Sequence, residues 1–221
     1  MLKKSLLTLI FCVVAVGIFA QEEKQSDKAF LMFLHGGYCI LPNKTAGLTS
    51  TSDDYVKKLS SGASWNAQAY FRYKKLIAGL MYSGFTSKGS YIASEIGTSG
   101  LTSSDNLITT YTALQCGMNI PIGKVFEFGF HGGFGVMWLK NNGLVYEKQR
   151  VLKAWSPAVN LGINGIVNIS KNVGLSAEIM AIGASTSKSK VNYNNKVVEV
   201  RYQLPLKLNE LTFSLGLKIS I

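Results

Sequence analysis

Leu211-Thr212-Phe213-Ser214-Leu215-Gly216-Leu217-Lys218-Ile219-Ser220-Ile221 carries a large apolar residue at every odd position and a small, polar or charged one at every even position. A period of two means a β-strand with one apolar and one polar face. The same alternation recurs upstream. Phe126, Phe128, Phe130, Phe134, Val136 and Trp138 share one face of a second such strand, opposite Glu127, Gly129, His131, Gly133, Gly135 and Met137. Trp65, Ala67, Ala69, Phe71 and Tyr73 line one face of a third.

Eight segments read this way. They begin near Ala29, Ser64, Leu76, Asn106, Phe126, Pro157, Val173 and Leu211. The connections near Lys74, Gly123 and Lys171 are short, with turn residues. Those near Ser50, Thr98, Gly143 and Asn194 are long and polar. Short and long connections therefore sit at opposite ends, with both chain termini at the short-turn end. The expected fold is all-β, an eight-stranded antiparallel up-and-down transmembrane barrel with short periplasmic turns and four longer outer loops. Lys196 to Gln203 is expected to extend the last hairpin.

Period two alone does not say which face is outside. A soluble ligand-binding barrel would turn the apolar face inward. The row of phenylalanines from Phe126 to Trp138 would crowd an eight-stranded interior, whereas its glycine-rich reverse suits one. Aromatics near strand ends (Tyr38, Trp65, Tyr73, Trp138, Trp155) match an interfacial girdle. Both features put the apolar face against lipid.

The N-terminus supports export. Lys3-Lys4, an apolar run from Leu6 to Phe19, and Ala20 before Gln21-Glu22-Glu23 form a secretory signal peptide pattern. The run is shorter than the roughly 20 residues of a spanning helix. The expected organisation is a signal peptide over 1–20, a linker over 21–28 and one barrel domain over 29–221. Cys39 and Cys116 fall on different faces of non-adjacent strands and are expected to stay unpaired. The net charge is +11, of which Lys3 and Lys4 contribute two. No clustered basic run with interleaved aromatics accompanies it, so nucleic acid is not an expected partner.

The inward face collects Arg72, Gln115, Glu127, His131, Glu178 and Lys218, with His35, Gln68, Asn160 and Asn164. Buried charges need partners, so a hydrogen-bonded and ion-paired plug is expected, with Glu127 or Glu178 opposite Lys218. A continuous polar path for ions is the alternative. No nucleophile elbow, no His-Ser pair and no metal-ligand spacing is present, so neither catalysis nor a cofactor is expected. Lys148, Arg150, Lys153, Lys188, Lys190, Lys196 and Arg201 make the third and fourth loops basic. They point to contact with lipopolysaccharide phosphates or acidic surface glycans.

With these residues in view, the chain resembles the small bacterial outer-membrane barrels of the OmpA/OmpX-like superfamily. Its Ile18-Phe19-Ala20-Gln21 junction is similar to those of Bacteroidetes "outer membrane β-barrel" or "porin family" proteins. Leu215, Leu217, Ile219 and Ile221 resemble the C-terminal signal read by the barrel assembly machinery, although the family often ends in Phe. The resemblance implies a monomer in the outer membrane with a structural or interaction role. A narrow channel, or an accessory part of an envelope export or assembly machine, are its other implications.

Overall fold

The computed structural model describes residues 28–42, 53–92, 100–194 and 196–221. The expected signal peptide over 1–20 and nearly all of the expected linker over 21–28 lie outside the described residues. Nine strands form one antiparallel sheet: β1 (Lys28–Ile40), β2 (Ser61–Tyr73), β3 (Leu76–Ile92), β4 (Thr102–Ile122), β5 (Phe126–Val145), β6 (Lys148–Asn168), β7 (Val173–Tyr193), β8 (Lys196–Lys207) and β9 (Glu210–Ser220). One short helix, α1 (Asp53–Leu59), precedes β2.

Eight of the nine strands close into a ring. β1 to β7 pair in sequence, β7 also pairs with β9, and β9 pairs with β1 from Leu31↔Ser220 to Ile40↔Leu211. The closure is locked where Phe30 and Ile221 exchange two backbone hydrogen bonds of 2.9 Å. β8 pairs with the upper part of β7 in the same register as β9 and continues the closing strand upward, with the Leu208 amide bonded to the Ala184 carbonyl (2.8 Å) between them. The terminal alternating stretch is thus the closing strand.

The short turns lie at one end. Lys74 (φ 56°) and Gly123 (φ 69°) occupy the left-handed region there. Gly123 adopts that conformation without the steric cost of a side chain, and the two-residue turn after β2 requires it of Lys74. The start of β1 at Lys28 and the C-terminal Ile221 share this end.

The described parts of the long connections are largely strand despite their polar composition. β4, β6 and β7 each contain 21 residues. A bilayer needs only about 9–11 residues per strand. The upper halves of these strands therefore stand beyond an apolar belt, and much of what reads as loop in the sequence is strand. The β5–β6 connection shrinks to Tyr146-Glu147, both at positive φ (49° and 66°). The fourth long connection contains β8.

The two halves follow opposite rules. Within the belt, Phe128, Phe134, Val159, Leu161, Phe213 and Leu215 are exposed, while Gln115, Asn160 and Asn164 are buried. Above Trp138 and Trp155 the alternation keeps its phase but the hydropathy of the two faces inverts. Leu139 and Leu152 now point inward, and their neighbours Lys140 and Lys153 point outward. Lipid accepts only apolar side chains, and water favours the reverse, so the inversion marks the outer edge of the belt.

Candidate functional site

The interior is filled, in layers. At the short-turn end, Lys218 Nζ donates to Glu127 Oε1 (2.5 Å) and to Asn168 Oδ1 (2.9 Å), and Asn168 Nδ2 donates to Glu127 Oε1 (2.8 Å). Both charged side chains are 2% exposed. The geometry selects Glu127, not Glu178, as the partner of Lys218. Arg72 is buried as well and lies close enough to repel Lys218. Leu31, Phe33, Tyr70, Ile77 and Ile166 form an apolar cluster in this lower part.

A polar layer follows. Gln68 Nε2 donates to both oxygens of Glu178 (2.7 and 3.1 Å), and Asn66 Nδ2 approaches Glu178 Oε1 at 3.4 Å. His35 Nδ1 lies 2.9 Å from Asn66 Oδ1 and 3.3 Å from Glu178 Oε2. On the opposite wall, His131 Nδ1 is 3.2 Å from Gln115 Oε1. Gln115 Nε2 donates to Asn160 Oδ1 (2.7 Å), which also accepts from the Tyr111 hydroxyl (3.0 Å). Each histidine ring lies on a glycine of the neighbouring strand. A Cβ at Gly162 would come within 2.5 Å of His131, and one at Gly216 within 2.5 Å of His35. These two glycines make room for the two rings.

Above this layer the interior turns apolar again, with Phe85, Leu107, Met137, Leu139, Leu152 and Leu206 in one cluster. Its rim carries a third polar group. Asp105 accepts from Arg150 (2.7 Å), Asn141 (2.8 Å) and the Tyr55 hydroxyl of α1 (2.6 Å). α1 packs on the inner face of β3, with Tyr55 and Leu59 over Gly89 and the Ser87 hydroxyl bonded to the Leu59 carbonyl (2.9 Å). Thr109 hydrogen-bonds the buried carboxylate of Glu210 between these levels.

Arg72, Gln115, Glu127, His131, Glu178 and Lys218 all lie inside the barrel. They form separate groups rather than one chain: Lys218 with Glu127, Gln115 with His131, and Glu178 among amides and His35. Among the described residues no three His, Cys, Asp or Glu side chains converge to hold a metal. Among the described residues Cys39 and Cys116 are free, Cys39 buried and Cys116 exposed in the belt.

The basic set divides. Arg150 points inward and is ion-paired to Asp105, with only 14% of its side chain exposed. It is not part of an outer basic surface, because its strand position has inward parity and the alternation continues through what the sequence presents as loop. Lys148, Lys153, Lys188, Lys190, Lys196 and Arg201 are exposed on β6, β7 and β8. Arg201 has Glu199 at 3.7 Å. Sequence reasoning missed the alignment of Lys140, Lys153 and Lys190. Lys140 is the Cα partner of Lys153, and Lys153 of Lys190. Three lysines thus form a transverse row on adjacent strands, one pleat above the partnered Trp138 and Trp155.

The fold is shared with solved bacterial outer-membrane barrels. A major outer membrane protein from Thermus thermophilus superposes with a TM-score of 0.61 at 12% identity, covering 89% of this chain and 100% of that one. OprG from Pseudomonas aeruginosa gives 0.50 at 14% identity (90% and 99% covered), and Neisserial surface protein A gives 0.50 at 11% (89% and 99%). No family model matches the chain, and no curated protein matches its sequence. The likeness is one of fold: a transmembrane β-barrel of the outer-membrane type.

Proposed function

We propose that the chain is a sealed, non-enzymatic outer-membrane barrel of the OmpA/OmpX-like kind, exported by a cleaved signal peptide, that works by contact between its basic outer face and phosphate-bearing lipopolysaccharide. The observation that carries this reading is the Lys140–Lys153–Lys190 row directly above Trp138 and Trp155. Interfacial tryptophans sit at headgroup level, so three ammonium groups one pleat higher meet the anionic headgroup region. The packed interior favours a role for the exterior, since apolar layers above and below the polar one interrupt any aqueous path.

Each lysine near an anionic membrane surface contributes about 1 kcal/mol. Replacing all three with Gln should weaken retention on immobilised lipopolysaccharide by roughly a hundredfold at low ionic strength. High salt should weaken the parent protein similarly. Retention unchanged by the triple substitution would overturn the proposal.

A further inference from the structure

Below the lysine row the β6–β7 ladder breaks. Cα pairing stops at Lys153↔Lys190 and resumes at Ala158↔Ala184, leaving one more residue on β7 than on β6. On its other side β7 keeps its register through the short interruption between β8 and β9, from Ser185↔Lys207 to Ile182↔Glu210. The break is finished rather than frayed. Ser156 Oγ donates to the Ser185 carbonyl (2.5 Å) and accepts from the Ser185 amide (3.2 Å). Pro157, next to it, has no N–H for the ladder to lose.

The result is a groove of about 550 Å³ on the outer surface, lined by Phe134, Pro157, Val159, Gly183 and Asn209, with Lys207 on its rim. Gly183 forms the floor, where a Cβ would meet nothing closer than 3.8 Å. Phe134 and Val159 are 65% and 61% exposed on the lipid side. Lys207 and, higher on the adjacent strand, Lys188 both point outward, and Lys188 lies beside Arg201 in the ladder. An apolar groove in the belt, open to lipid, therefore leads up to a cluster of cations. An amphiphile with acyl chains and a phosphorylated head matches both parts.

We infer that this groove seats one acyl chain of a phosphate-bearing glycolipid of the outer leaflet, with the phosphate held by Lys207 and Lys188. The inference rests on the reading of the basic face given above and names a discrete seat for the same ligand class. The occupant is a lipid because the groove lies in the belt, where the bilayer surrounds it. It is an anionic one because Lys207 lines the groove and Lys188, paired in the ladder with Arg201, follows above Ser185 on β7.

The test uses the full barrel in detergent and three probes: bisphosphorylated lipid A, its dephosphorylated form, and the deacylated phosphosaccharide. Bound stoichiometry and affinity are read by native mass spectrometry, on variants whose folding is verified by heat-modifiable gel migration. Gly183→Phe fills the groove and should weaken lipid A about tenfold, the contact of roughly two methylenes, without changing phosphosaccharide binding. Val159→Trp fills it from the opposite wall and provides the same readout should Gly183→Phe not fold. Lys207→Gln should weaken the phosphorylated lipid and leave the dephosphorylated one unchanged. Lipid A affinity unaffected by groove filling, or equal for both lipids, would overturn the seat. Persistent phosphosaccharide binding in that case leaves the basic face standing, and loss of all binding in the parent protein overturns both.

Discussion

Lys218→Met isolates the ion pair at the base of the barrel. The substitution keeps most of the side-chain volume and removes the ammonium that bonds Glu127 and Asn168. Breaking a buried pair leaves an uncompensated charge and costs about 3–5 kcal/mol. Here Asn168 still donates to Glu127, and the repulsion between Lys218 and Arg72 disappears, so the lower end, about 3 kcal/mol, applies. Glu127→Leu should cost at least as much, because it leaves Lys218 facing Arg72. The double variant Lys218→Met/Glu127→Leu removes both charges and should return to within about 1 kcal/mol of the parent. The coupling from the cycle is then at least ~5 kcal/mol. Equilibrium urea unfolding in lipid vesicles measures it, followed by the fluorescence of Trp65, Trp138 and Trp155, all on the outer face. Single variants within about 1 kcal/mol of the parent, or additive effects, would refute the claim that the pair is desolvated and mutually dependent.

Two further outcomes follow from the inward and outward assignments. Cys116, facing lipid in the belt, and Cys39, buried, should both resist a charged maleimide in vesicles and react with it only on unfolding; labelling of Cys116 in the folded barrel would place it in water. Gly162→Ala should collide with the His131 ring and cost about 1–3 kcal/mol, measured by the same urea titration, and His131→Ala in that background should recover most of the loss; an innocuous Gly162→Ala would mean the ring is free to move.

The ring of strands was legible because lipid imposes a simple rule. Phe126 to Trp138, broken only by Gly132, and Leu211 to Ile221 place large apolar residues on one face, and the short turns announce themselves by Pro121, Gly123 and Asn172. The lumenal residues followed by parity once the terminal strand was assigned. What stayed hidden lies above the belt. There the outer face meets water, so the polar composition of residues such as Ser103, Ser104 and Lys190 suggests loop although the period of two continues. Leu107, Leu139 and Leu152 keep that period and its phase with the hydropathy of the two faces inverted, and a reading that followed inward parity past Trp138 would have found the apolar upper layer. It would also have turned Arg150 toward Asp105 and aligned Lys140 with Lys153. Helix α1 left a fainter signal, Tyr55 and Leu59 four residues apart with Lys57 and Lys58 in the last turn. The groove beside Gly183 had none, because it arises from a ladder break between strands, and pairing partners are not written in local sequence.

A sealed interior separates this account from the channel alternative. Eight strands leave room for side chains and little else, and here His35, Gln68, His131, Gln115 and Glu178 are packed between the Phe33 and Phe85 clusters. The most direct measurement is single-molecule conductance of the refolded barrel in a planar bilayer, with insertion verified independently. The packed lumen predicts no unitary current steps at any voltage the bilayer withstands. Stable, reproducible steps that change when His131 or Gln115 is substituted would contradict it.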